Sequence, residues 1–334
     1  MNPIAVTMGD AAGIGPEIVV KTFADEGFIS DHPSFVVGDL GVLRRQAAAL
    51  APQLVVRPIG SVADYRQASN RIDVLPVSEL PTDLEAGQID ARAGQAAFDA
   101  IRRATQLAMN REVGGICTAP INKEALAAAG VPYPGHTEML ADFSGVEDYA
   151  MMLMNPSLKT ILVTVHCSLA EAIRRISTAL ELRIIRLAYR TLRDFGIEHP
   201  RVAVAGLNPH AGEAGLFGRE DIDLILPAIA QAKAEGISVT GPHPGDTVFM
   251  NARRGRFDIV VAQYHDQGLI PIKLMGVEDG VNVTVGLPFV RTSPDHGTAF
   301  DISGQGSADP SSMKTALAAA HQLARARSGR SVTS

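Results

Sequence analysis

Three histidines carry the strongest chemical signal in this sequence. His166 follows an apolar, β-branched run ending at Val165, His210 follows one that runs through Ala205, and His265 follows one that runs through Ala262. Each therefore stands just past the C-terminal end of a predicted strand. In a parallel α/β sheet those ends form the ligand-binding edge, so three imidazoles there can converge on one divalent metal and leave positions open to substrate. The alternative is three separate loop or capping histidines, because no helical His-x-x-x-His spacing ties them together. Asp246 and Asp266 are candidates for extra ligands, for acceptors that fix the histidine tautomers, or for plain turn acids. Cys167 would point away from His166 if the strand continued through both, and so ranks below it as a ligand.

A second set of residues suits an anion. Gly135-His136-Thr137-Glu138 offers a tight backbone turn with a titratable donor and a hydroxyl, although Thr137 could simply cap a helix. The stretch from Lys273 through Asn282 to Arg291 places two cations and an amide in glycine-rich, loop-like sequence directly after His265-Asp266-Gln267-Gly268. A lone Lys or Arg is usually a solvated charge, but loops this rich in glycine and polar groups commonly bind something. Near the start, Gly9 to Pro16 follows a strand and opens a helix without a G-x-G-x-x-G fingerprint, so a standard dinucleotide-binding turn is not supported. The Gly13 to Gly15 turn either approaches a ligand or is only a tight connection. Asp295-His296-Gly297-Thr298-Ala299-Phe300-Asp301 packs two acids and a histidine into an apparent loop-to-helix entry, which would bind a nucleotide or cap a helix.

The elements that must position these residues alternate short β-branched runs with longer helical patterns, the signature of an α/β fold with a parallel sheet. Residues 4–8 form a predicted strand, and Pro16 with Glu17 opens a helix that runs toward Phe23. Ala97, Ile101, Ala104 and Ala108 recur at helical spacing before a buried strand at 116–118, and another helix starts near Asn122. A strand is expected over 160–165, followed by capping boxes at Ser168 to Glu171 and Thr178 to Glu181, with a helix break near Ser177. Pro227 splits a further helical stretch. Strands are expected at 201–205 and 258–262, and an alanine-rich helix at 311–326. The glycine and proline clusters at 130–135 and 286–294 divide the chain into a discontinuous first domain, 1–130 plus 286–334, and an inserted second domain, 131–285.

Composition narrows the function classes. A length of 334 residues with 46% hydrophobic content is enough for two buried cores and excludes disorder, collagen and coiled coil. A net charge of -6, spread rather than in blocks, leaves no footprint for a nucleic-acid backbone. No apolar run approaches the roughly 18 residues of a membrane span, and Met1-Asn2-Pro3-Ile4 lacks the basic start of a signal peptide, so a soluble cytoplasmic protein is expected. The two cysteines, Cys117 and Cys167, lack metal or disulfide spacing and read as small core residues.

With these residues in view, the sequence resembles the PdxA family of 4-hydroxythreonine-4-phosphate dehydrogenases, nearly end to end. The motifs are Met8-Gly9-Asp10 with Gly13-Ile14-Gly15-Pro16-Glu17, Thr118-Ala119-Pro120-Ile121-Asn122-Lys123, Gly135-His136-Thr137-Glu138 and Asn208-Pro209-His210-Ala211-Gly212-Glu213. Tyr264-His265-Asp266-Gln267-Gly268, Gly286-Leu287-Pro288-Phe289 with Arg291-Thr292-Ser293, and Asp295-His296-Gly297-Thr298 follow in order. Ala11 departs from the proline usual in the family, which touches only the rigidity of the first turn. The resemblance implies two α/β/α domains of the isocitrate and isopropylmalate dehydrogenase type with the active site in the cleft between them. It implies that His166, His210 and His265 hold one divalent metal (Zn, Co, Mn or Mg), and that His136, Thr137, Lys273, Asn282 and Arg291 contact a phosphorylated substrate. It also implies a homodimer whose metal site is completed by a histidine of the neighbouring subunit, with NAD or NADP near the C-terminal loops.

The chemistry so implied is oxidation of 4-phosphooxy-L-threonine and decarboxylation to 3-amino-2-oxopropyl phosphate in vitamin B6 synthesis. Lys273 is then a candidate for proton transfer or enolate stabilisation, or only for phosphate binding. Relatives acting on D-threonate or D-erythronate 4-phosphate offer the alternative substrate. A dihydrodiol dicarboxylate is disfavoured by the intact His136-Thr137 motif. Outside the family, a metal-dependent hydrolase or aldolase could use the same histidines, and an exported solute-binding protein would need the leader that is not seen here.

Overall fold

The computed structural model describes residues 2–276 and 280–330. They form two compact units. One runs from the start of the chain to Glu147 and adds Leu287–Arg325; the other comprises Asp148–Gly286 and the chain from Ala326 on. Each is α/β.

The sheet of the first unit contains β1 (Ile4–Thr7), β2 (Ser34–Asp39), β3 (Val55–Pro58), β4 (Arg71–Ser78), β5 (Gly115–Thr118) and β12 (Val290–Pro294). Their order is β3-β4-β2-β1-β5-β12, and every pair is parallel. Buried side chains on successive positions of β1, β2 and β5 are what a parallel sheet covered on both faces requires. The helix Ala91–Met109 lies along β1, β2, β4 and β5, and Asp90 caps it by accepting from the Arg92 N–H at 2.7 Å. Its buried stripe of Ala93, Ala97, Ala100, Ile101, Ala104 and Ala108 lets the neighbouring helices come close. Gly94 shows how close, because a Cβ there would meet the Ala125 carbonyl oxygen at 2.1 Å.

The second unit holds β6 (Ala150–Met154), β7 (Lys159–Leu162), β8 (Val202–Ala205), β9 (Val239–His243), β10 (Ile259–Ala262) and β11 (Val281–Val285). Their order is β11-β6-β7-β10-β8-β9. β7, β10, β8 and β9 are parallel, while β6 runs antiparallel to both its neighbours. Its core packs Leu153, Leu162, Ala203, Val260 and Ala262 against Val248, Leu269 and Ile272 of the flanking helices.

Several local expectations shift by a residue or a cap. Residues 131–147, expected with the second unit, pack with the first, because Val131, Met139 and Leu140 join the core of Ala5, Phe35 and Ile116. The strand expected over 160–165 stops at Leu162, and Thr164 turns its hydroxyl to the Gln263 carbonyl at 2.8 Å. The break near Ser177 is present, but the cap is Ser177, which accepts from the Leu180 N–H, rather than Thr178. Glu181 is fully buried and committed to Gln263, so it cannot reach back to close a capping box. Pro227 sits in the first turn of the helix Leu226–Ala234, after a wider turn at Asp221–Ile225. No helix follows directly on 295–301; the last helix, Ser311–Arg330, begins ten residues later, counting from 301 to 311. Cys117 is buried as expected, whereas Cys167 is partly exposed because the strand has already ended.

Candidate active-site residues

In the first unit the structure gathers His136 and Arg291. Arg291 lies on β12 opposite Ile116 of β5, is only 3% exposed, and donates from Nη2 to the Thr118 hydroxyl at 2.8 Å. Burial pulls its pKa down from 12.5 to about 10, because a guanidinium stripped of water is a less stable cation. His136 opens the helix His136–Ser144 behind Gly135, with Thr137 inside the first turn rather than at the cap. The His136 Nε2 atom is buried and has no hydrogen-bond partner among the described residues. Desolvation, and then the charge of Arg291, hold this imidazole well below its usual pKa, so it is neutral at pH 7. No side chain caps this helix, which leaves its first amides available to an anion. A dry guanidinium, an orphaned ring nitrogen and a helix N-terminus together suit a compact dianion such as a phosphate ester.

The second unit positions the three expected histidines by topology. β7, β10 and β8 are adjacent parallel strands, so the loops that leave their C-terminal ends are neighbours at about one strand spacing. His166 and His265 come together, with ring centroids 5.7 Å apart. His265 starts the helix His265–Lys273, and its Nδ1 lies 2.7 Å from Asp266 Oδ1. The Nδ1 of His210 lies 3.1 Å from Glu213 Oε2. A carboxylate on Nδ1 is the arrangement that orients a metal-ligating imidazole and leaves Nε2 to the metal. Among the described residues, however, no three His, Cys, Asp or Glu side chains are drawn close enough together to hold an ion. The trio is present as a close pair and a neighbour. Asp266 takes the accepting role on His265, while Asp246 stands exposed in the first turn of the helix Gly245–Arg253.

His210 is held in unusual backbone. It has φ 52°, Ala211 53°, Glu213 40° and Ala214 53°, with Gly212 at 82° among them. Left-handed backbone costs roughly 1–2 kcal/mol for each residue that carries a Cβ. Such a run persists only where its surroundings over-determine it.

The supporting residues are ones that sequence reasoning missed. Gln263, buried just past β10, donates from Nε2 to the Ala205 carbonyl at 2.9 Å and to Glu181 Oε1 at 3.0 Å. Gln267 accepts from the Gln263 N–H at 2.7 Å and donates to the Gly206 carbonyl at 2.7 Å. Together with Thr164, these amides tie the loops bearing His166, His210 and His265 to one another. The available signal was a pair of glutamines flanking His265 at the end of an all-apolar strand. Glu181, beneath them, is pushed up to about 7 by burial.

The remaining expectations fall as follows. Lys273 is the exposed last residue of its helix, and Asn282 is half-buried on β11 opposite Leu153 of β6. At the first turn, a Cβ on Gly13 would meet Thr298 Cβ at 2.9 Å, and one on Gly15 would meet the Met8 carbonyl at 2.4 Å. Both glycines thus serve close packing of the chain on itself. Asp10 within this turn is fully buried, accepts from the Ala12 N–H at 2.8 Å, and has its pKa raised to about 6 by burial.

Comparison with known proteins gives the family. Residues 30–320 match the family described as pyridoxal phosphate biosynthetic protein PdxA. The chain belongs to the PdxA family. It is 56% identical over 322 residues to a 4-hydroxythreonine-4-phosphate dehydrogenase of Beijerinckia indica, covering 96% of this chain and 95% of that one. It is 49% identical over 324 residues to a D-threonate 4-phosphate dehydrogenase of Salmonella typhimurium, covering 96% and 98%. A crystal structure of a 4-hydroxythreonine-4-phosphate dehydrogenase from Klebsiella pneumoniae superposes with a TM-score of 0.91 at 49% identity, over 97% of this chain and 98% of that one. This PdxA-family chain is accordingly an oxidoreductase of the dehydrogenase type. No helix among the described residues is long and apolar enough to cross a membrane.

Proposed function

We propose that the chain oxidises the secondary hydroxyl of 4-phosphooxy-L-threonine with NAD or NADP and a divalent metal, and that the product loses carbon dioxide to give 3-amino-2-oxopropyl phosphate. The observation that carries this reading is the anion seat of the first unit, where Arg291 is buried beside a neutral His136 at an uncapped helix start. Arg291, His136 and Thr137 bind the phosphate there, and its two negative charges offset the desolvated guanidinium.

His166, His210 and His265 would hold the metal, and the donor chemistry fits: three imidazoles at the ends of adjacent strands, two of them, His265 and His210, with Nδ1 on the carboxylates of Asp266 and Glu213. When bound, the metal supplies Lewis-acid polarisation of a substrate oxygen and the nicotinamide accepts a hydride. Three imidazoles suit zinc; cobalt, manganese or magnesium fit with added oxygen ligands. Lys273 removes the proton from the substrate hydroxyl oxygen as the carbon that bears this oxygen gives up its hydride. After carbon dioxide departs, it returns a proton to the carbon that carried the carboxylate. Asn282 orients the substrate by hydrogen bonding.

The enzyme acts as a homodimer that shares its site. In support, Leu169, Leu216, Phe217, Met250, Ile270 and Leu274 are exposed apolar side chains, and all lie on segments that follow the parallel strands of the second unit. Exposed apolar side chains on segments that leave one sheet edge are available to such an interface.

A second reading, D-threonate 4-phosphate as substrate, is favoured by the Salmonella typhimurium relative. The two substrates share the phosphate, the carboxylate and the reacting hydroxyl, and differ only in an amino group against a hydroxyl. NADH formation by metal-replete protein on each substrate, with an EDTA control, decides between them. Higher kcat/KM on the amino acid supports the main reading, and silence on both with metal present defeats both. Lys273→Met retaining near-normal hydride transfer removes the role given to that lysine.

A further inference from the structure

The left-handed turn that presents His210 is gripped from beneath by a carboxylate. Asp221 has no exposed surface. Its Oδ1 accepts from the Leu207 N–H at 2.8 Å, and its Oδ2 accepts from the N–H of Asn208 and from Asn208 Nδ2, each at 3.1 Å. Asn208 Nδ2 also donates to Glu220 Oε2 at 2.7 Å. The grip is tight as well as polar. A Cβ on Gly206 would come within 2.8 Å of Ala211 Cα and 3.0 Å of Asp221 Oδ1. One on Gly212 would sit 3.1 Å from the Gly218 carbonyl and 3.5 Å from Asp221 Oδ2.

Stability alone does not call for a charge here. A buried carboxylate is costly to desolvate, and well-packed apolar groups serve stability as well or better. The cost is compounded because Glu181, another buried carboxyl, stands near enough for the two charges to repel. What three converging hydrogen bonds supply instead is direction: they fix the backbone at Leu207 and Asn208, one proline before the residues with positive φ begin at His210.

We propose that Asp221 is a positioning residue, which sets the left-handed backbone at His210 through Leu207 and Asn208 and so aims that imidazole without itself touching substrate. This goes with the histidine-site reading given above but is tested apart from it. In Asp221→Asn the amide keeps an oxygen for the Leu207 N–H and sets an NH2 against the two donors of Asn208. Asn208→Ala removes one arm and leaves the carboxylate, so it decides the matter if the first variant does not fold.

The primary readout is the ring 15N and 1H signals of His210, His166 and His265 in metal-free protein labelled at histidine, each assigned by substitution. Circular dichroism monitors the fold. The expected result is that the His210 ring signals move or broaden while those of His166 and His265 stay in place, with the smaller change in Asn208→Ala. His210 unmoved in both variants, or all three rings moving alike, overturns the proposal. The second readout is affinity for cobalt(II) alone, expected to fall about tenfold to a hundredfold in Asp221→Asn, as for loss of a residue that orients a ligand. Affinity unchanged within about twofold also overturns it. If the parent protein binds no cobalt(II) while His210 still moves selectively, the positioning role stands and the metal reading falls.

Discussion

Replacing Arg291 with Met separates stability from substrate binding. The side chain is 3% exposed, and its pKa falls from 12.5 to about 10 because burial removes its water. At about 1.4 kcal/mol for each factor of ten, keeping that charge costs the empty protein about 3 kcal/mol. Arg291→Met removes this cost, loses the guanidinium's hydrogen bonds, that to Thr118 among them at about 1.5–3 kcal/mol because the donor is charged, and keeps most of the packing volume. The two effects nearly cancel, so the variant is expected to stay within about 2 kcal/mol of the parent. Binding has no such offset. Charge-assisted hydrogen bonds to a phosphate contribute about 1.5–3 kcal/mol, so KM for a phosphorylated substrate rises about tenfold to a hundredfold. Urea unfolding with and without inorganic phosphate reads both effects at once: the parent is stabilised by phosphate and the variant is not. The reasoning is refuted by a variant that loses more than about 2 kcal/mol of stability while phosphate still stabilises it as it does the parent.

Three further outcomes follow from buried titratable groups. His136 is held neutral by burial and by Arg291, so it adds no inflexion near pH 6.5 to KM for the phosphorylated substrate beyond that of the phosphate's own second ionisation at about pH 6, which should persist in His136→Gln; an inflexion there that disappears in His136→Gln contradicts this assignment. Glu181 is raised from 4.5 to about 7, so the stability it contributes is present below its unfolded value and is lost as pH rises through 7, by up to about 3 kcal/mol; Glu181→Gln should flatten the unfolding free energy between pH 5 and 8, as urea titrations can check. His321, buried beside Ser34 and His32, is lowered from 6.5 to about 3, so its contribution is present above 6.5 and is lost as pH falls toward 3; His321→Gln should shift the midpoint of acid unfolding downward, and an unmoved or raised midpoint rejects the assignment.

Much of this protein is encoded locally. The run at 4–8, the proline and acid that open the helix Gly15–Phe23, and the alanine stripe of Ala91–Met109 predict their own elements, because hydrophobic periodicity and cap chemistry act over a few residues. The three histidines are legible for the same reason: each follows an apolar run, and a parallel sheet brings strand ends to one edge. His136, Thr137 and Arg291, which we propose bind the anion, are legible as polar groups among glycines and prolines.

Other features are decided only when distant segments meet. That β10 lies between β7 and β8, so that the His265 loop is flanked by those of His166 and His210, is a matter of strand order, which no local pattern carries. Ser177 rather than Thr178 caps its helix because Glu181 is drawn under Gln263, 82 residues away. Residues 131–147 join the first unit because Met139 and Leu140 find their apolar partners there. The sequence by itself determined which groups can bind an anion or a metal, since side-chain chemistry is local. The tertiary structure decided their charge state and aim. Desolvation of Arg291 and His136 requires a closed core, and the left-handed turn at His210 requires a buried carboxylate that arrives from outside the motif.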